Sequence, residues 1–154
     1  MSQESALWGK YTWILFHWLA ESIKEEYFQQ ERENIINTIK TICSSLPCPS
    51  CQGHANQYLK LRPINKIRNK DDLKKYLFIF HNAVSQRGKK QIYNESILEQ
   101  YKKVNLNILL QNWVTCFSAG SHVRQDDFML KINIQRIKNS TISYIKKNYN
   151  KFVQ

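Results

Sequence analysis

The chain has 154 residues, 42% hydrophobic and 12% aromatic. That is one ordinary domain with enough apolar material for a real core, and it is too long to need the stapling of a disulfide miniprotein. Four glycines and three prolines argue for helices joined by short loops and against a sandwich or barrel with many hairpins. The formal net charge of +11 favours anionic partners such as nucleic acid, acidic lipid or a phosphate-bearing cofactor, without choosing among them. Much of the excess lies in Lys-Asn-Ile-rich stretches that suit a solvated face. The apolar run Trp13 to Ala20 is short, holds His17 and lacks both a basic leader and a small-residue cleavage site. No stretch approaches the length of a membrane span. The expectation is an intracellular, soluble protein.

In chain order, Leu7 to Phe28 reads as a first helix, because Leu7, Tyr11, Ile14/Leu15, Trp18 and Ser22/Ile23 recur at helical spacing. Trp13 and His17 lie one turn apart on a different stripe. Glu31 to Leu46 reads as a second helix, with Ile35, Ile36, Ile39, Ile42, Cys43 and Leu46 inward. Pro47 should end it, and Pro49 suits the first turn of a third helix running to about Leu61. Pro63 and Asn65 mark a loop. Asp71 to Arg87 is a fourth helix, with Asp71 or Asp72 as cap, a seam of Leu73, Leu77, Phe80 and Val84, and Gly88 as its stop. Two shorter stretches follow, Glu95 to Tyr101 and Leu106 to Phe117, the latter with Trp113 and Phe117 as core residues. Ala119-Gly120-Ser121 reads as a hinge. Beyond it, Asp126 to Asn148 is a basic helix with Phe128, Ile132, Ile137, Ile142 and Ile145 as anchors.

The chemistry gathers at Cys48-Pro49-Ser50-Cys51. Two cysteines separated by two residues can close into a small ring, and a helix start favours the thiolate that exchange requires. Haem attachment needs His directly after the second Cys, where Gln52 stands. A thioredoxin-like domain needs flanking strands, and the surroundings read as helical. Zinc stays open: Cys48, Cys51 and His54 form a C-x-x-C-x-x-H run, with Cys116 or His122 as a fourth ligand, although no second local ligand couple is visible. His17, His54 and His81 fall on three different helices, each near a Trp, Cys or Asn, which suggests one polar site in a bundle. Cys43 and Cys116 are isolated. A staple, an intermolecular bridge and buried free thiols all suit them, with buried thiols as the plain expectation.

Three ordered blocks carry a family resemblance: Trp8-Gly9-Lys10-Tyr11-Thr12-Trp13 followed by His17, Leu46-Pro47-Cys48-Pro49-Ser50-Cys51 followed by His54, and Phe80-His81-Asn82-Ala83-Val84-Ser85 followed by Lys89-Lys90. Together they resemble the Erv/ALR family of FAD-linked sulfhydryl oxidases, and most closely its short viral members. The resemblance covers Leu7 to Tyr101. It implies an all-α fold, a four-helix bundle with a short fifth helix, over residues 1–104. Residues 105–154 are then a helical extension that packs on this core or mediates dimerisation.

The resemblance further implies Cys48 and Cys51 as the redox pair. Gly9, Lys10, Trp13, His17, His54, His81, Asn82, Val84, Ser85, Lys89, Lys90, Tyr93 and Tyr101 are the implied FAD-binding residues, with Lys10 and Lys90 toward the pyrophosphate or ribose. Implied partners are protein dithiols, such as thioredoxin-like or viral proteins, dioxygen as acceptor, and a second copy in a homodimer. No nucleic acid, membrane or metal is implied, and the implied location is host cytoplasm or virion. In this reading a substrate thiolate attacks Cys48, Cys51 passes the electrons to the flavin, and oxygen yields hydrogen peroxide. The chain departs from the family pattern at Ser85, where Asn is usual, and at Lys10, where Arg is frequent and offers a planar fork that Lys lacks. The segment Gln86-Arg87-Gly88 lacks the usual apolar residue, which leaves Lys89 and Lys90 as rivals for the cofactor. The mobile second cysteine pair of larger relatives has no counterpart, which implies direct oxidation of the partner. A zinc-stabilised helical interaction module is the alternative reading, and a basic nucleic-acid binder resting on charge alone is a third.

Overall fold

The computed structural model describes residues 3–118 and 127–153. Among them are helices and no strands, as the scarcity of turn-formers predicts. The helices are α1 (Gln3–Ser22), α2 (Glu25–Cys43), α3 (Pro49–Leu61), α4 (Lys70–Arg87), α5 (Leu106–Cys116), α6 (Phe128–Lys147) and α7 (Tyr149–Phe152). Short 3-10 segments, Ile64–Lys66 and Glu95–Lys103, lie between α3 and α4 and between α4 and α5. The expected hinge at Ala119 to Ser121, and His122, fall outside the described residues.

Helix α1 is the central element. It packs on α4, α5 and the 3-10 segment Glu95–Lys103, whereas α2 packs on α3, α6 and the short 3-10 turn. Leu15 and Leu19 from α1, Ile23 just past its end, Ile35, Ile39 and Ile42 from α2, and Leu73, Leu77 and Phe80 from α4 form one continuous core. Leu109, Trp113, Phe117, Ile134, Ile137 and Ile145 join that same core, so the C-terminal helices share its interior.

Helix boundaries follow local chemistry. The first helix stops at Ser22 rather than continuing to Phe28, because Lys24 turns extended (φ −70°, ψ 138°) and starts α2. The Lys24 N–H donates to the carbonyl of Lys151 (2.9 Å), so the break is stabilised by the far end of the chain. Helix α4 is capped by Asn69, whose side chain accepts from the Asp72 N–H (2.8 Å). The expected caps Asp71 and Asp72 instead lie in the first turn, where carboxylates complement the helix dipole. A cap of this type stabilises a helix by about 1 kcal/mol. The stretch Glu95–Lys103 is a 3-10 helix, and it buries Leu98 and Tyr101. In α6, Ile137 and Ile145 are buried as expected, but Phe128 is 67% exposed. Ile132 and Ile142 are only half-buried, and Ile134 and Thr141 take the inner positions.

Candidate active site

Cys48 and Cys51 are joined as a disulfide. Cys48 is the N-cap of α3, Pro49 opens the first turn, and Cys51 follows one turn into the helix. The turn that delivers the pair is fixed by Gln52, whose side-chain amide donates to the carbonyl of Leu46 (2.7 Å). Two donors reach Cys48 Sγ: the Cys51 backbone N–H (3.3 Å) and the Ser50 hydroxyl (3.3 Å). Cys43 is buried and Cys116 half-buried, and neither is disulfide-bonded. Burial pushes the Cys43 thiol up to about 12, so it is inert at neutral pH.

A cavity of about 1090 Å³ opens beside the disulfide. Its wall comes from α1, α3, α4, the loop after α4 and the segment Glu95–Lys103. Of the residues expected from sequence, Gly9, Lys10, Trp13, His17, Cys51, His54, His81, Asn82, Val84, Ser85, Lys90, Tyr93 and Tyr101 all line it. Cys48 and Lys89 do not. The two sulfurs therefore differ in setting: Cys51 borders the hollow and Cys48 stands off it. The rivalry between Lys89 and Lys90 has a backbone cause. Lys89 takes a left-handed conformation (φ 54°) just past α4. There its N–H donates to Gln86 O (3.1 Å) and the Lys90 N–H to Ser85 O (2.8 Å), which closes a Schellman turn.

Flat rings dominate the inner wall. His81 stacks on Trp13 (centroids 4.3 Å apart, planes 6° apart), and His17 stacks on Tyr101 (4.4 Å, 15°). His17 Nε2 and His81 Nδ1 share one hydrogen bond (2.9 Å), one ring donating and the other accepting. Burial, and then the neighbouring His81, lower His17 to about 3; burial, and then the charge of Lys90, lower His81 to about 4. Both imidazoles are neutral at physiological pH. Asn82 works differently from a plain lining residue. Its amide donates to Tyr93 O (2.8 Å) and its carbonyl accepts from Tyr93 N (3.2 Å), clamping the loop between Gly88 and Asn94 onto α4.

Sequence reasoning missed Arg62 and Arg87, which join Lys10 and Lys90 on the wall. Arg62 lies over the ring of Tyr58 (4.9 Å), and His54 and Tyr58 on α3 and Arg62 at its C-cap follow one another at four-residue spacing. That stripe was the available signal. Among the described lining residues there are four strong cations and no Asp or Glu. The wall is also braced from behind: Trp113 on α5 donates through Nε1 to Thr12 Oγ1 (3.1 Å), and Thr12 donates to Trp8 O (2.7 Å).

The zinc alternative finds no support. Cys48 and Cys51 are tied to each other, and among the described residues no group of three or more His, Cys, Asp or Glu gathers to hold a metal. A ligand that carries both flat rings and phosphates fits what is present: stacked aromatic faces, neutral imidazoles and four cations in a described lining without Asp or Glu. Among the described residues, no helix is long and apolar enough to cross a membrane.

An FAD-linked sulfhydryl oxidase of African swine fever virus is 32% identical over 97 residues, spanning 63% of this chain and 78% of the relative. A putative FAD-linked sulfhydryl oxidase of invertebrate iridescent virus 3 is 29% identical over 104 residues, 66% of this chain and 70% of the relative. A rice protein of the same description is 27% identical over 85 residues, covering 55% of this chain and 43% of its own. No solved structure matches the chain at a significant level. The model of the Erv1/Alr family matches residues 10–105, the stretch that holds the second and third blocks, the first from Lys10 onward, and all of the cavity wall but Trp8 and Gly9, and the chain belongs to that family.

Proposed function

We propose that this protein is an FAD-dependent thiol oxidase that makes disulfide bonds in protein dithiols, with Cys48 as the sulfur that meets substrate. The observation that carries this reading is the sidedness of the disulfide: Cys51 borders the large cavity and Cys48 does not. Trp13, His17, His81 and Tyr101 supply flat faces for the ring systems of the cofactor, and Lys10, Arg62, Arg87 and Lys90 supply charge for its pyrophosphate. When bound, FAD supplies a two-electron acceptor that dioxygen re-oxidises, with hydrogen peroxide as the product.

The chain's own residues perform the exchange. A substrate thiolate attacks Cys48 Sγ, the Cys48–Cys51 bond breaks, and Cys51 leaves as a thiolate at the cavity edge. The second substrate thiol then attacks the substrate sulfur of the mixed disulfide and displaces Cys48. The cations of the cavity wall, unopposed by any carboxylate in its described lining, give the hollow that Cys51 borders a positive character that favours a thiolate there. His17 and His81, held neutral by burial, add hydrogen-bonding groups without adding charge.

The purified protein is expected to be yellow and to consume oxygen with a dithiol. Cys51→Ser is expected to keep the flavin absorbance and to lose oxygen consumption by at least about a hundredfold, because the exchange then has no leaving sulfur. A colourless wild-type protein that binds no added FAD would overturn the reading. So would a Cys51→Ser enzyme with wild-type turnover.

A further inference from the structure

Ser50 sits between the two cysteines, exposed and outside the cavity wall. Its hydroxyl lies 3.3 Å from Cys48 Sγ. A disulfide sulfur carries no proton, so the hydroxyl is the donor. The Cys51 N–H reaches the same sulfur from the helix side, also at 3.3 Å. Pro49 opens the turn without an N–H of its own. Both donors therefore converge on the outward sulfur, and that convergence distinguishes Cys48 from Cys51 electronically.

We propose that Ser50 is a catalytic residue that, with the Cys51 amide, holds the negative charge arising on Cys48 each time substrate is released. This rests on the thiol oxidase reading above. In the first exchange, the substrate thiolate bonds to Cys48 Sγ, the Cys48–Cys51 bond breaks and its electron pair leaves on Cys51. Here the two donors withdraw density from the attacked sulfur. In the second exchange, the other substrate thiolate bonds to the substrate sulfur, the bond to Cys48 breaks and its electron pair leaves on Cys48. Substrate has lost two electrons and the protein dithiol has gained them. A leaving sulfur departs faster when its thiolate is stabilised, and Ser50 supplies that stabilisation at the departing atom.

A hydrogen bond to a charged acceptor at an exposed site corresponds to roughly tenfold in the thiol–thiolate equilibrium. Loss of thiolate is partly offset by the higher intrinsic nucleophilicity of a more basic sulfur, so the net change in a rate is smaller, about two- to fivefold. The test reduces the protein anaerobically with a phosphine, alkylates it with iodoacetamide across pH, and follows the Cys48 peptide by mass spectrometry. Ser50→Ala should move the midpoint of Cys48 alkylation to higher pH and slow it about two- to fivefold at neutral pH, and Ser50→Thr should restore the wild-type profile. With glutathione as a monothiol substrate and acid quenching, Ser50→Ala should also accumulate more mixed disulfide on Cys48. Coincident alkylation profiles for wild type and Ser50→Ala would overturn the proposal, as would equal accumulation of the mixed disulfide. A wild-type protein unable to oxidise any dithiol sinks the oxidase reading alone, since the alkylation difference does not depend on turnover.

Discussion

Lys89 shows how a single backbone position aims a functional side chain. A residue with a Cβ in the left-handed region costs about 1–2 kcal/mol relative to the right-handed one, and Lys89 stands there at φ 54° although Gly88 precedes it. The turn it closes sends the chain back so that Lys90 joins the cavity wall while Lys89 does not. Lys89→Gly is therefore expected to stabilise the protein by about 0.5–1 kcal/mol, because relief of strain exceeds the added entropy of an unfolded glycine. Urea denaturation with an unchanged m-value would report it, and a loss of stability would show that the lysine side chain compensates for its backbone. The same position marks a boundary of sequence reasoning. Gly88 is the natural reading for the helix stop and is indeed the last capping residue, but which residue turns left-handed depends on hydrogen bonds to Ser85 and Gln86 that composition does not specify. Arg62 and Arg87 escaped for a related reason: each reads as an exposed helix-end cation until the fold brings it to the cavity.

Between elements, the pairing of α1 with α4 places two imidazoles against each other. The unfolded chain takes up protons on both as pH falls through about 6.5, whereas burial holds His17 down to about 3 and His81 down to about 4 in the folded protein. The unfolded state thus binds more protons between those limits. Stability is fully present above the unfolded value and falls as pH drops through the window, by up to about 1.4 kcal/mol per pH unit for buried His17 and less for His81, where solvent screens. The urea midpoint of the flavin-free protein should fall between pH 7 and pH 5, and His17→Gln should flatten that fall. An unaltered slope in His17→Gln would locate the proton-linked group elsewhere. The helices themselves were legible where the packing seam was clean, as with Leu73, Leu77 and Phe80 on α4, whereas Val84, expected in the same seam, is exposed and lines the cavity instead. The α1–α2 break was not, because Ile23 and Tyr27 keep helical spacing across it and the interrupting contact comes from Lys151. In α6 the expected stripe through Ile132 and Ile142 was rotated relative to the buried one, since several isoleucine phases are available and tertiary packing selects among them.

Across the whole molecule, the C-terminal end closes on the beginning. Phe152 stacks on Trp18 (5.3 Å), Lys24 Nζ donates to Asn150 O (2.7 Å), and Lys151 Nζ donates to buried Glu31 (2.8 Å). Tyr144 and Asn34 also donate to Glu31. Burial works against the Glu31 charge, yet the hydrogen bonds from Lys151, Tyr144 and Asn34 prevail and hold its carboxyl below the ordinary range. Lys151→Met is expected to destabilise by about 2–3 kcal/mol, because a buried carboxylate loses its counter-charge. Adding Glu31→Gln should recover part of that loss in a double-mutant cycle; strict additivity would show the pair to be uncoupled. None of this clasp was legible, since Glu31 and Lys151 lie 120 residues apart and the three blocks that carry a recognisable pattern all lie between Trp8 and Lys90. The placement of the disulfide has a consequence at this scale as well. With one sulfur bordering the hollow and the other standing off it, the proposed oxidase function would set oxidant and client in separate compartments, with only electrons passing between them. Client range can then drift through the outer surface of α3 while the chamber behind it stays as it is.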